Sequence, residues 1–167
     1  MQGFFVENIV YNLCFILLIS ESDFLLLLKP YTMETRETLL LHLRPEIPSA
    51  TINPSMSSDE IFQNRTLRPV VKLQSELLVE VFQNYIRKHK NVFYDLTIEK
   101  RLDYIENAIH KDMKFRNSLK GIIIGQFSVT EYRDYATNSS DLNKRMMNLV
   151  KERLKSNVQL LEYHYAH

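Results

Sequence analysis

The sequence predicts an all-α protein: a compact bundle of about five to six helices, preceded by an extended segment that contains proline. In the stretch after residue 69, apolar residues recur every three or four positions, which is the spacing of one helical face. All five prolines lie before residue 70, so no proline interrupts a helix after that point. The chain has three glycines and no Asn-Gly or Asp-Gly pair, so it lacks the residues typical of β-hairpins.

Composition narrows the class of protein further. The chain has 167 residues, a length typical of one domain, and is 45% hydrophobic and 25% charged. This balance excludes a disordered, collagen-like or disulfide-rich chain. With 21 basic and 20 acidic residues the net charge is +1, so no strong field favours nucleic acid or an acidic membrane.

Residues 1–32 differ in character from the rest of the chain. They are rich in Phe, Leu, Ile, Tyr and Asn, and they carry one basic and three acidic residues. The apolar stretch at 9–19 is shorter than the roughly 20 residues of a membrane-spanning helix. A secretory signal would need a basic start and a small-residue cleavage site, but Glu7 stands near the start and no Ala-x-Ala follows.

We interpret residues 1–32 as a non-native extension, with Met33 as the true initiator, because AT-rich codons specify most of its residues. Two alternatives stay open: an apolar tail that binds a membrane or a partner, and a degenerate signal peptide. Residues 33–167 are predicted to form a single helical domain that folds without the extension. The only cysteine, Cys14, lies in the extension, so the domain has no thiol chemistry, which is compatible with a reducing cytosol.

The first half of the domain is predicted as two short helices and one long one. Residues 35–43 form a short helix, and the three prolines of residues 44–57 favour an extended segment that wraps the body. Ser57 or Ser58 caps a helix that runs to about Arg65. A helix from Pro69 to about Lys90 is expected to be central. The first row of its predicted apolar face comprises Val70, Leu73, Leu77, Val81 and Tyr85. A second row widens this face and comprises Val71, Leu78, Phe82 and Ile86.

The second half is predicted as a series of amphipathic helices. Thr97 caps a helix whose apolar stripe is Ile98, Leu102, Ile105, Ile109 and Met113. Residues 119–127 favour helix over strand, and Gly121 and Gly125 on one face would permit close backbone approach. Ser128 and Glu131 form a capping box before a helix that is expected to bury Val129, Tyr132 and Ala136. Residues 138–141 separate this helix from a last one. The predicted core positions of the last helix are Leu142, Met146, Leu149, Val150, Leu154, Val158 and Leu161. Residues 163–167 should fray.

The search for catalytic chemistry assigns no catalytic, cofactor-binding or metal-binding residue. The body has too few glycines for a phosphate-binding loop, and it contains neither Gly-x-Ser-x-Gly nor His-Glu-x-x-His. Glu106 and His110 are four residues apart on one helical face, which we interpret as an exposed pair, with a two-ligand metal site as the alternative. His164 and His167 are interpreted as surface residues of the tail, with a weak metal chelate as the alternative. No cofactor is predicted.

A local basic stretch is the one feature typical of nucleic-acid binding. It consists of Lys111, Lys114, Arg116 and Lys120, with Phe115 between them. Basic residues interleaved with an aromatic ring can bind the backbone and the bases of a nucleic acid. Asp112 interrupts the stretch, so we interpret it as a solvated face near a helix end. Paired carboxylates such as Asp95 and Glu99 are interpreted as caps and surface charges.

Several runs resemble a family of small bacterial proteins that are often named glyoxalase. The runs are residues 39–48 (LLLHLRPEIP), 62–69 (FQNRTLRP), 113–121 (MKFRNSLKG) and 142–148 (LNKRMMN). The resemblance extends over residues 33–161 and leaves out residues 1–32. It implies a glyoxalase-type lyase or hydrolase, but the family offers no catalytic residues to carry over, and the sequence shows neither His/Glu strand ligands nor a dense His/Asp motif.

Three hypotheses about function follow from these observations. The first is a non-enzymatic cytoplasmic protein with an interaction or structural role, whose partner is unknown and could be a second copy or another protein. The second is the glyoxalase-type enzyme that the resemblance implies. The third is a weak nucleic-acid-binding module. A membrane partner is expected only if residues 1–32 are a real tail.

Overall fold

The computed structural model describes residues 35–161, and all regular secondary structure in this range is helical. The predicted all-α fold class is therefore confirmed. The predicted extension at 1–32 and the C-terminal residues from 162 onward, including His164 and His167, lie outside the described residues. The α-helices are α1 Arg36–His42, α2 Ser58–Phe62, α3 Arg68–Leu73, α4 Ser75–Lys88, α5 Ile98–Lys111, α6 Met113–Ile124, α7 Val129–Thr137 and α8 Ser139–Ser156.

Side-chain caps at the N-termini explain where several helices begin. Thr35 accepts a hydrogen bond from the backbone of Thr38 at the start of α1. Ser57 and Glu60 form a capping box at α2, and Ser128 with Glu131 forms the predicted one at α7. Each cap satisfies backbone N–H groups that have no partner inside the first turn of the helix. The predicted starts of these three helices are therefore confirmed.

Helices α2 and α3 form one continuous helical run, whereas the sequence predicted a stop near Arg65. A π-helical turn, Gln63–Leu67, joins the two helices, and the backbone N–H of Arg68 donates to the carbonyl of Gln63 five residues earlier. The turn directly precedes Pro69, whose ring would clash with the carbonyl of Arg65 in a regular α-helix. Widening the helix by one residue accommodates the proline without ending the run.

The predicted central helix from Pro69 to about Lys90 is divided at Gln74 and ends at Lys88. The second predicted row is buried at Leu78, Phe82 and Ile86, whereas the first row is buried only in part, because Val70 is buried and Leu77 is exposed. Aromatic rings from other segments pack against the second row at Phe82. Among the rings that contact Phe82, Phe93 lies with its centroid 5.9 Å away and Tyr104 6.4 Å away.

The predicted stripe from Ile98 to Met113 spans two helices rather than one. Helix α5 ends at Lys111, and the side chain of Asp112 accepts hydrogen bonds from the backbone of Lys114 and Phe115 to begin α6. Ile98 and Met113, at the two ends of the stripe, are therefore 53% and 57% exposed. In the centre of the stripe, Ile105 and Ile109 are buried as predicted.

Residues 119–124 are helical, so the preference for helix over strand in this stretch is confirmed. Gly125 caps α6 at its C-terminus. Gly121 and Gly125 would permit a close backbone approach, but no other segment of the described chain lies close to them. A Cβ atom added at Gly121 would have no neighbour within 4 Å, and one at Gly125 would meet carbonyls of its own helix.

Helix α7 turns a different face toward the core than the sequence predicts. Val129, Tyr132 and Ala136 are exposed, and Tyr135 is the buried residue of this helix. The Tyr135 hydroxyl donates to the side-chain oxygen of Asn143 on α8 at 3.0 Å. Because Tyr135 lies one turn after Glu131, the inward face is the one on which the carboxylate of Glu131 is held.

Helix α8 is the central helix of the bundle. It contacts α3, α4, α5, α6, α7, the π-helical turn and the 3-10 turn Val158–Leu161. Its core positions follow the predicted spacing, and the fully or almost fully buried ones are Leu142, Met146, Met147, Val150 and Leu154. The central role predicted for the helix after Pro69 therefore belongs to the last helix instead.

Ile109→Ala should lower the free energy of unfolding by about 2–5 kcal/mol, because truncating a buried isoleucine leaves a cavity. Ile109 is only 2% exposed. Ile98→Ala on the same helix is the matched control and should change stability by less than about 0.5 kcal/mol. Urea denaturation of both variants measures the difference, and equal losses would show that α5 packs differently.

Candidate functional site

The most buried ion pair among the described residues joins Arg44 to Glu131, whose side chains are 7% and 14% exposed. Both terminal nitrogens of Arg44 donate to the Glu131 carboxylate, with Nη2 2.8 Å from Oε2. The buried Thr66 hydroxyl donates to Oε1 at 2.9 Å, and the backbone N–H of Ser128 donates to Oε2 at 2.8 Å. We call Arg44, Thr66, Ser128 and Glu131 the Glu131 cluster.

The hydrogen bonds of the Glu131 cluster set its protonation state. Burial raises the pKa of Glu131, but the hydrogen bonds from Arg44, Ser128 and Thr66 outweigh burial and hold the pKa below its usual range. A carboxylate offers roughly four acceptor positions, and the four donors of the cluster occupy them. The Glu131 carboxylate is therefore ionised at neutral pH and has no position left for a substrate proton.

Two arginines also bind the chain between α6 and α7. Arg36 donates to the carbonyls of Phe127 at 2.9 Å and Gly125 at 2.7 Å. Arg44 donates to the carbonyl between them, that of Gln126, at 2.7 Å. The carbonyls that follow a helix carry partial negative charge and have no partner inside the helix, so guanidinium groups stabilise this position.

Two clefts flank the Glu131 cluster. The first has a volume of about 430 Å³, and its apolar lining comes from the proline-containing segment, including Pro45, Ile47 and Pro48. The second has a volume of about 450 Å³ and is lined in part by Asp59 and Asp134. Each is large enough for a small molecule.

Three half-buried carboxylates, two of them beside these clefts, already serve the fold. Asp59 accepts a hydrogen bond from the amide of Asn138 at 2.8 Å. Asp112 accepts two backbone hydrogen bonds at 3.0 Å where α6 begins. Together with Glu131 these are the half-buried acidic residues of the described chain, and each one ties two segments together or caps a helix.

Glu106 and His110, interpreted from the sequence as an exposed pair, are exposed in the structure. Glu106 accepts from Lys155 at 2.6 Å and from Lys151 at 3.4 Å on α8. The hydrogen bond from Lys155 is the main reason that the pKa of Glu106 lies below its usual range. Within residues 35–161, no three His, Cys, Asp or Glu side chains converge as metal ligands would.

The basic stretch of α5 and α6 lacks the aromatic ring that the sequence suggested. Phe115 is only 9% exposed, so its ring belongs to the core and is not interleaved with the lysines. The structure instead places other rings beside these lysines. A shallow groove of about 570 Å³ is lined by Tyr85, His89, Tyr104, Lys111, Lys114 and their neighbours, and we call it the His89 groove.

Sequence reasoning missed the His89 groove for a specific reason. Tyr85 was assigned to an apolar helical face, and His89 was not connected with it, although the two are four residues apart at the end of α4. That spacing places two rings on one helical face and is a usable signal. Their proximity to Lys111 and Lys114 depends on how α4 packs against the α5–α6 junction, which local sequence does not reveal.

Within residues 35–161, no helix has both the length and the apolar character needed to cross a membrane.

Arg44→Met should destabilise the protein by about 3 kcal/mol, because it leaves the Glu131 carboxylate buried without its cation. The matched control is Lys144→Met, which removes an exposed ion pair with Asp141 on α8. The control should melt like the wild type, since exposed pairs contribute little. Calorimetric melting of both variants tests the importance of the Glu131 cluster, and equal melting temperatures would contradict it.

Stability should fall in acid partly through Glu131. Its folded-state pKa is lowered, so its contribution is complete above its unfolded pKa of about 4.3 and is lost as pH falls through the folded value. Glu131→Gln should therefore be less stable than the wild type at pH 7, and the difference should shrink toward pH 3. Melting temperatures across this range test the prediction, and a constant difference would refute it.

Comparisons with models of protein families, with curated proteins and with solved structures find no match to this chain.

Proposed function

We propose that the protein is a non-catalytic interaction protein of the cytoplasm. The observation that supports this is the use of its half-buried carboxylates. Asp59, Asp112 and Glu131 are all engaged in hydrogen bonds that join segments or cap helices. A general base needs a free acceptor within reach of the proton it removes. Glu131 has its acceptor positions filled, and Asp59 and Asp112 each use one carboxylate oxygen to hold the fold.

The clefts and grooves of the surface suit binding rather than proton transfer. The first cleft beside the Glu131 cluster takes its lining largely from prolines and aliphatic residues. The second cleft is lined by the carboxylates of Asp59 and Asp134 and also by Thr66 and Ser128, which are both buried. Such surfaces recognise shape and a few polar groups of a partner or ligand.

The glyoxalase-type activity implied by the resemblance is the alternative, and it can be tested directly. Protein incubated with Zn²⁺ or Ni²⁺ is assayed with the hemithioacetal of methylglyoxal and glutathione, and with the corresponding thioester. We expect no turnover above the protein-free control. Metal content of the purified protein is measured in the same samples.

Variants sharpen this test because they separate an active site from contamination. Turnover that persists in the wild type but is lost in Glu106→Gln or His110→Ala would overturn the non-catalytic proposal. Lys144→Met is the matched surface control and should behave as the wild type in every assay. If turnover is equal in all these variants, Glu131→Gln is assayed next. Loss of turnover in Glu131→Gln would also contradict our proposal.

A further inference from the structure

A stack of three rings runs from the core to the surface at the end of α4. The buried ring of Phe115 lies with its centroid 4.2 Å from that of Tyr85, at an interplanar angle of 33°. The ring of Tyr85 lies 4.0 Å from that of His89, at 30°. His89 is exposed, and Tyr85 is its ring partner among the described residues. The stack therefore ends at the surface with one imidazole face uncovered.

The backbone fixes the orientation of His89. Its Nδ1 lies 2.8 Å from the carbonyl oxygen of Tyr85, which can only accept, so Nδ1 carries the hydrogen. The ring is therefore held at two points, by this hydrogen bond and by the contact with Tyr85. A surface ring that is held in place loses little freedom when a planar ligand stacks on it.

Two lysines and one aspartate line the groove at the end of the ring stack. Lys111 and Lys114 line the same groove as His89 and are both exposed. The acidic residue of the groove, Asp112, has its Oδ1 engaged by two backbone N–H groups of α6. Neither lysine has an acidic partner among the ion pairs of the described residues. Both ammonium groups are therefore available to an anion.

An uncovered ring face beside two unpaired lysines matches a ligand with a planar ring and a phosphate. Aromatic rings stack on bases of any sequence, and lysines contact the phosphates. We infer that the His89 groove binds a nucleotide unit, with the base stacked on His89 and the phosphate contacting Lys111 or Lys114. This inference rests on the proposed binding role and names a ligand class for it. The unit could come from a free nucleotide or from a single strand of nucleic acid.

Binding is measured by calorimetry with AMP and by fluorescence anisotropy with a labelled single-stranded RNA of mixed sequence, both at low salt. Binding of AMP and RNA, or of either alone, supports the groove and identifies the source. Ribose 5-phosphate, which has the phosphate but no base, should bind at least tenfold more weakly than AMP. A duplex of the same sequence should bind more weakly than the single strand because its bases are not free to stack.

Two variants assign the binding to the groove. His89→Ala should weaken binding about tenfold, and the double variant Lys111→Gln/Lys114→Gln should weaken it by a similar factor and reduce its salt dependence. His42→Ala on α1 and Lys144→Gln on α8 are the matched controls and should bind as the wild type. Melting curves confirm that each variant is folded.

Three results would overturn the inference: no binding of AMP or RNA at millimolar protein, binding unchanged in His89→Ala, or equal binding of an oligoglutamate peptide. The last result would make the groove a surface for acidic proteins. Phosphate release from ATP and AMP is followed in parallel. Phosphate release by the wild type would contradict the non-catalytic role but not the inferred binding at the His89 groove. If neither binding nor phosphate release is seen, only the inferred binding is contradicted.

Discussion

The ion pair between Arg44 and Glu131 is the interaction on which the N-terminal part of the structure depends. Arg44 lies two residues after the end of α1, and Glu131 lies in the first turn of α7. The two residues are 87 positions apart in the chain. Glu131 also closes its own helix cap and accepts from Thr66 in the π-helical turn. One carboxylate therefore links three segments of the chain.

The inward position of the Glu131 carboxylate and its hydrogen bonds explain neighbouring features of the fold. Because Glu131 points inward, α7 presents Tyr135 to the core and leaves Val129 and Tyr132 exposed. Thr66 reaches Glu131 from a π-helical turn, a form that occurs often at functional sites and otherwise seldom. Here Pro69 accounts for the widened turn without an appeal to function. A buried charge is tolerable in this place because its acceptor positions are occupied.

Local sequence predicted the features that depend on local chemistry. The capping boxes at Ser57 and Ser128 were predictable because each is completed within four residues. The division of helices at Gln74 and Asp112 was not predicted, because neither position carries proline or glycine. Asp112 does carry a signal in retrospect, since aspartate is a favoured N-cap residue.

The candidate sites were less predictable because they depend on long-range packing. Arg44 gives no local sign that it pairs with Glu131, since residues so far apart in the chain meet only in the folded state. The basic stretch was visible, but its aromatic neighbour was misassigned: Phe115 enters the core, and His89 comes from another helix. The sequence predicts both apolar rows of α4 as one wide face, and the rings packed around Phe82 show that the second row is the more deeply buried.

The way in which α1 is attached has a consequence for local unfolding. None of the residues of α1 is buried, and Leu39, Leu41 and Leu43 are exposed. Arg36 and Arg44 attach this segment by hydrogen bonds to the chain between α6 and α7. Opening of this segment would therefore expose little new apolar surface. Its opening equilibrium should respond weakly to urea and carry a small heat-capacity change, because both quantities scale with exposed surface. We therefore expect the segment around α1 to open separately from the core around α8, which amide hydrogen exchange can measure.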